Sequence, residues 1–216
     1  SPLRVLENVN ELLRELGRAR MFVTVFYGIV DGPNRRMTYA RAGHDRPLLV
    51  HAVWIDEGDM AVVADRGAAV AHCPESNMKL GAGIAPLTGL LAAGIAVGLG
   101  TDGCASNNNL DIFSEMDTAA KLHKASFLDP TAMAAETVVK MATIQGATAL
   151  GLGDVTGSLE MGKKADIIVI DTDKPHLTPM YNPYSHLVYA ANGSDVSHTI
   201  INGRLVMADR QLLTVD

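Results

Sequence analysis

At 216 residues the chain has room for one large domain or two small ones. Hydrophobic residues make up 48% and charged residues 19%, which provides for a buried core and excludes a disordered chain. A formal net charge of -6 excludes nucleic acid and anionic membrane surfaces as expected partners. No apolar run approaches the roughly 20 residues that cross a bilayer. No basic-then-apolar leader opens the chain, so a soluble protein without export is expected. Cys73 and Cys104 are far apart among small residues, which fits reduced thiols and a cytoplasmic location. The chain opens on Ser1-Pro2 rather than Met and reads as part of something longer.

Val5, Leu6, Val9, Leu12, Leu13 and Leu16 follow helical spacing, with Gly17 placed to end the helix. Two β-rich runs follow, Phe22 to Val30 and Met37 to Ala42, and Asp31-Gly32-Pro33-Asn34 between them predicts a hairpin. From Pro47 the pattern changes. Leu48 to Val53 reads as an apolar strand, then a helix capped by Asp56 and ended by Gly67. Ala68 to His72 reads as a second strand, Ile84 to Ala93 as a helix and Ile95 to Leu99 as a third strand. Apolar strands alternating with helices predict a parallel sheet covered on both faces. Helices are expected over Leu110 to Lys124, Pro130 to Met141 and Ile144 to Leu150. The tail predicts strands at Asp166 to Asp171, His186 to Tyr189 and His198 to Val206, broken by Asn192-Gly193 and Asn202-Gly203.

Each of the three predicted parallel strands carries or leads into a residue of catalytic type, and functional side chains in α/β sheets gather where strands end. These residues are His51, then His72 within His72-Cys73-Pro74-Glu75-Ser76-Asn77, then Asp102 after Gly98-Leu99-Gly100-Thr101. A carboxylate following an apolar run needs a cation or several donors. A divalent metal would serve, and would let Asp102 take a proton from bound water; capping of the next segment is the alternative. His51 and His72 read either as hydrogen-bonded core residues or as ligands, and their convergence with Asp102 favours a site. His123, His176, His186 and His198 have no clear partner. Cys73 and Cys104 lack the pairing of a structural zinc site and read as packing residues.

The string from Val70 through His72, Asn77 and Leu80, with Gly98 through Asp102 and Ser106 to Asn108, resembles the amidohydrolase superfamily. Within it the resemblance is to methylthioadenosine/S-adenosylhomocysteine deaminases and their chlorohydrolase and guanine deaminase relatives. It runs from about His51 to Asp216 and includes Gly157 to Ile170 and Ile201 to Arg204. The implied fold is α/β: the last three units of a TIM-type (β/α) barrel over residues 51–155, then β-sandwich strands in a composite tail over 156–216. The resemblance makes Asp102 a metal ligand, for zinc or another divalent ion, and the group that orients and deprotonates the attacking water. It makes His51 a hydrogen-bonding partner of that water or of the developing tetrahedral centre, Ser106 a substrate contact, and His72 and Asn77 parts of the pocket wall. The implied reaction is hydrolytic deamination of a purine nucleoside derivative.

The family's His-x-His pair, its fifth-strand histidine and the glutamate after it have no counterpart in the sequence. The zinc shell this chain offers is therefore incomplete. Residues 1–50 instead resemble the middle of sporulation-type metal-dependent serine/threonine phosphatases, through Met21 to Asp31 and Met37 to Pro47, without that family's metal-binding aspartates. Gly43-His44 reads there as a turn. The expected arrangement is a helix-plus-hairpin segment joined near residues 47–51 to an unrelated hydrolase part. The alternatives are a catalytically inactive chimera or fragment, or a phosphatase remnant. Strand edges left without neighbours predict homo-oligomers.

Overall fold

The computed structural model describes residues 1–15, 25–34, 36–42 and 47–214. The chain divides into two units, Ser1–Asp45 and Arg46–Asp216. The first contains helix α1 (Pro2–Glu15) and an antiparallel hairpin of β1 (Val25–Asp31) and β2 (Arg36–Ala42). Asp31 closes the hairpin turn, its carboxylate accepting from the Asn34 N–H at 3.3 Å and from Asn34 Nδ2 at 2.8 Å. Gly17, residues 21–24 and Gly43-His44 lie outside the described residues.

In the second unit β3 (Leu48–Val50), β4 (Ala69–His72) and β5 (Val97–Leu99) form a parallel sheet in that order. Val70 and Val97 are fully buried, as strands covered on both faces require. The first strand is shorter than its apolar run predicts, because His51 and Ala52 take left-handed backbone angles, φ 71° and 48°. Helix α2 (Glu57–Asp65) begins at Asp56 with a reciprocal capping box to Asp59, and Gly67 at φ 57° follows its end. Helix α3 (Pro74–Lys79), which the sequence pattern did not disclose, starts with Pro74 directly after β4. Helices α4 (Leu87–Ala92), α5 (Ile112–Phe127), α6 (Ala135–Ala142) and α7 (Ile144–Ala149) complete the α/β part. Asp111 caps α5, accepting from the Phe113 N–H at 2.9 Å. Residues 130–134, expected in the next helix, instead form a turn in which Asp129 accepts from the Thr131 N–H and hydroxyl.

The core gathers Leu87 and Leu90 of α4, Ala119 and Ala120 of α5, and Val138 and Met141 of α6 around Val70 and Val97. Helix α7 approaches β5 closely: a Cβ added at Gly98 would lie 2.8 Å from the Gly146 Cα. An apolar hollow of about 810 Å³ opens between the sheet and the tail, with Leu48, Gly98, Leu99, Met141, Ile167 and Ile170 in its lining. No helix of the described residues is long and apolar enough to cross a membrane.

The tail forms a four-stranded antiparallel sheet, β6 (Ile167–Ile170), β7 (Val196–Ile201), β8 (Arg204–Ala208) and β9 (Gln211–Leu212). The expected sandwich strands are thus represented by one sheet among the described residues. The strand expected at His186 to Tyr189 is instead helix α8 (Pro183–Tyr189). Asn182 accepts from the Ser185 N–H at 3.0 Å and Pro183 presets the first turn, so capping prevails over the β-prone Leu-Val-Tyr run. His176 is not without a partner: its Nε2 lies 3.1 Å from buried Asp195, which also binds Lys174 at 2.8 Å.

The contact between β5 and α7 yields a stability test. Gly98→Ala is expected to lower stability by about 1–3 kcal/mol, because backbone rather than a flexible side chain must move. Gly32→Ala, with open space around the added methyl, is expected to change it by less than about 0.5 kcal/mol. Urea unfolding followed by circular dichroism measures both.

Candidate active site

The parallel ladder carries its three strands to a common rim. The His51 N–H donates to the Ala71 carbonyl at 2.9 Å, and the Gly100 N–H to the His72 carbonyl at 2.9 Å. The residues just beyond β3 and β5, His51 and Asp102, both stand in the left-handed region, Asp102 at φ 60°. Such backbone is costly for residues with a Cβ and concentrates at functional sites.

Asp102 anchors the cluster. Its Oδ2 accepts from the Ser76 hydroxyl at 2.7 Å and from the Ser106 hydroxyl at 2.6 Å. These two donors, with the Gly103 N–H, hold its carboxyl down at about 2, so it is ionised at neutral pH. His51 Nε2 lies 3.8 Å from the same oxygen, while its Nδ1 is 2.8 Å from Asn77 Oδ1. With Asn77 presenting its carbonyl oxygen, Nδ1 carries the proton and Nε2 faces the Asp102 side. The loop that bears Ser106 is tied to α3 by Lys79, whose ammonium donates to the Ala105 carbonyl at 2.9 Å and to Asn108 Oδ1 at 2.5 Å.

Four of the five residues proposed from sequence therefore stand together: Asn77 is hydrogen-bonded to His51, Ser106 and the additional Ser76 to Asp102, and His51 approaches Asp102 at 3.8 Å. His72 stands behind. It is 1% exposed, neither ring nitrogen has a hydrogen-bond partner among the described residues, and its ring centroid is 5.6 Å from that of His123. Burial, then the neighbouring His123 and His51, lowers the His72 imidazole to about 3, so it is neutral. Cys73 is buried, but Cys104 is exposed on the loop after Asp102, which corrects its reading as a packing residue.

Ser76 and Glu115 are functional candidates that sequence reasoning missed. Ser76 gives no local signal, since its role depends on the turn of α3. Glu115 did leave one: it falls on the α5 face shared with Met116, Ala119 and His123, all buried, where a carboxylate is out of place.

An ionised carboxylate held near 2 is a weak base toward free water but a good ligand for a cation. Zinc takes four ligands, and catalytic sites usually draw three of them from protein. Among the described residues no group of three or more His, Cys, Asp or Glu is arranged to hold a metal. Asp102 and His51 Nε2 alone do not constitute a zinc site, and no step is derived through one.

The match of residues 26–206 to the amidohydrolase family decides the ancestry of this cluster. The chain belongs to the amidohydrolase family. It is 61% identical over 171 residues to 5-methylthioadenosine/S-adenosylhomocysteine deaminase 1 of Syntrophus aciditrophicus, covering 79% of this chain and 39% of that protein. It is 53% identical to the 5′-deoxyadenosine deaminase of Methanosarcina mazei, over 78% of this chain and 39% of the relative. Among solved structures it is similar to an adenosine deaminase from Xanthomonas campestris with bound zinc, at 43% identity and a TM-score of 0.76, over 78% of this chain and 38% of the other. This amidohydrolase chain spans about two fifths of the length of these relatives.

The buried histidines set the pH response of this amidohydrolase core. His72 and His123 sit at about 3 and about 4, below their ordinary 6.5, so the unfolded chain binds those protons first and stability falls as pH drops below 6.5. Glu115 acts oppositely: burial pushes it from 4.5 up to about 7, so its contribution is lost as pH rises through that window. Two histidines outweigh one glutamate, and the urea midpoint is expected to be lower at pH 5 than at pH 6.5. His123→Gln leaves one group of each sign and is expected to flatten the difference.

Proposed function

We propose that the unit from Arg46 to Asp216 is the C-terminal part of a metal-dependent aminohydrolase that deaminates an adenosine derivative of the methylthioadenosine/S-adenosylhomocysteine class. The observation that carries this reading is the ionised Asp102 carboxylate at the strand rim, held by Ser76 and Ser106 and faced by His51. In this reading β3, β4 and β5 with their helices are the last three units of a (β/α) barrel. The superposition on the zinc-bound adenosine deaminase supports that assignment. The net reaction adds water to the purine carbon bearing the amino group and releases ammonia. Asp102 would supply one ligand to a divalent metal, which would activate water for the attack, while His51 would hydrogen-bond the reacting oxygen and Ser106 would contact the substrate. His72 and Asn77 shape the wall behind them, and the rest of the metal shell lies outside the described residues.

Residues 1–50 are read separately, as a helix and hairpin with the scaffold of a sporulation-type phosphatase. The division of the chain at Asp45/Arg46 supports a boundary there, and 171 residues, the length of the likeness to the Syntrophus aciditrophicus deaminase, is also the length of the second unit. The family match that begins at residue 26 weighs against it. A cytoplasmic location and self-association through strand edges belong to the same reading.

A second reading, a catalytically inactive chain, is favoured by one observation: the missing three-ligand cluster among the described residues. Ultraviolet-monitored deamination of methylthioadenosine and S-adenosylhomocysteine with added zinc separates the two. The first reading expects turnover that Asp102→Asn reduces by roughly two orders of magnitude. Turnover indifferent to that substitution overturns the proposed site. A folded, soluble chain without turnover establishes the second reading.

A further inference from the structure

Glu115 is fully buried, yet it makes no ion pair among the described residues; it receives two hydrogen bonds from two different elements. Its Oε2 accepts from the Glu75 N–H in the first turn of α3 at 3.2 Å. Its Oε1 accepts from Asn107 Nδ2, in the loop after β5, at 2.5 Å. The next residue along each of these segments toward the rim is a donor to Asp102: Ser76 follows Glu75, and Ser106 precedes Asn107. One carboxylate inside the fold therefore spans the two segments whose hydroxyls converge on one oxygen outside it.

We infer that Glu115 is a positioning residue for the Asp102 centre, a buried clamp that fixes α3 and the 103–109 loop so that Ser76 and Ser106 meet at Asp102 Oδ2. This rests on the reading of Asp102 as the working carboxylate.

Other features agree with this role. Both donors aimed at Glu115 require an acceptor on each oxygen, which an ionised carboxylate supplies and an amide does not. Burial favours the neutral acid and pushes the group up to about 7, so no gain from burial explains a glutamate here. Asn107 is itself nearly buried, and its Oδ1 accepts from the Asn109 N–H at 3.0 Å, so the clamp passes into the loop backbone on both sides of Asn107. Lys79 ties the same two segments from the solvent side, through exposed contacts that solvent screens. The inner tie sets the geometry.

The carboxyl ¹³C resonance of Asp102, read in aspartate-labelled protein at pH 8, reports whether the two hydroxyls are in place. Ser76→Ala and Ser106→Ala calibrate the displacement that follows from losing one donor. Glu115→Gln is expected to move the resonance in the same direction. The exchanged pair Glu115→Gln with Asn107→Asp is expected to restore it, since the new aspartate accepts from the glutamine amide while the glutamine oxygen keeps the Glu75 N–H. Val188→Ala, a core truncation elsewhere, is expected to lower stability and leave the resonance in place. An unmoved resonance in folded Glu115→Gln overturns the clamp, as does a displaced resonance that the exchanged pair fails to restore. Should Glu115→Gln not fold, Asn107→Ala reads the same tie from the loop side, with the same displacement expected and its absence overturning the inference. A failure of deamination leaves these outcomes untouched, because none of them requires turnover.

Discussion

The parallel pairing of β3, β4 and β5 is the constraint from which the site follows. Parallel strands end on the same side, so their terminal residues are delivered to one rim without any attraction between those residues. The pairing is held by few hydrogen bonds, because the strands are only three or four residues long. Their alignment depends on what packs over them, and Gly98 against Gly146 shows how closely: the backbones of β5 and α7 meet where neither residue has a side chain. A sheet this small is kept in place by its helices.

Polar order extends inward from the rim in layers. Asp102 and His51 are at least partly exposed, Ser106 is half-buried, and Ser76, Asn77, Asn107 and Glu115 are buried. Asp102 is satisfied by the Ser76 and Ser106 hydroxyls, and Glu115 by the Glu75 N–H and Asn107, as buried polar groups require. Not every buried polar atom is paired: Asn77 Nδ2 and the ring nitrogens of His72 and His123 have no partner among the described residues, and burial keeps the two histidines neutral. The large hollow is elsewhere, apolar and lined by none of His51, Ser76, Asp102 or Ser106.

The strand, helix, strand order of the second unit was legible because buried parallel strands leave continuous apolar runs and because Asp56 and Gly67 mark a helix by chemistry. Helix α3 was hidden: Pro-Glu-Ser-Asn-Met-Lys has no apolar stripe, and the segment is helical because β4 delivers it against α5. Helix α8 was misread as a strand since its Leu-Val-Tyr run favours extended backbone, while the deciding signal, Asn182 before Pro183, lies upstream of that run. At the site, His51 and Asp102 were legible from their place at the ends of apolar runs, and Ser106 and Asn77 from resemblance alone. Ser76 and Glu115 were not, because their importance arises from contacts 26 and 40 residues away in sequence.

The left-handed backbone at His51 and Asp102 carries a consequence for variation among related chains. Valine, isoleucine and threonine are disfavoured at both positions by sterics alone, before any chemistry is considered. The residues that best tolerate such angles after glycine are asparagine and aspartate, with histidine also enriched. A narrow repertoire at these two places would thus arise even in a descendant that had lost all activity. On the proposed reading backbone geometry and catalysis restrict the same positions, and only a substitution that keeps the angle while changing the charge, such as Asp102→Asn, can tell the two pressures apart.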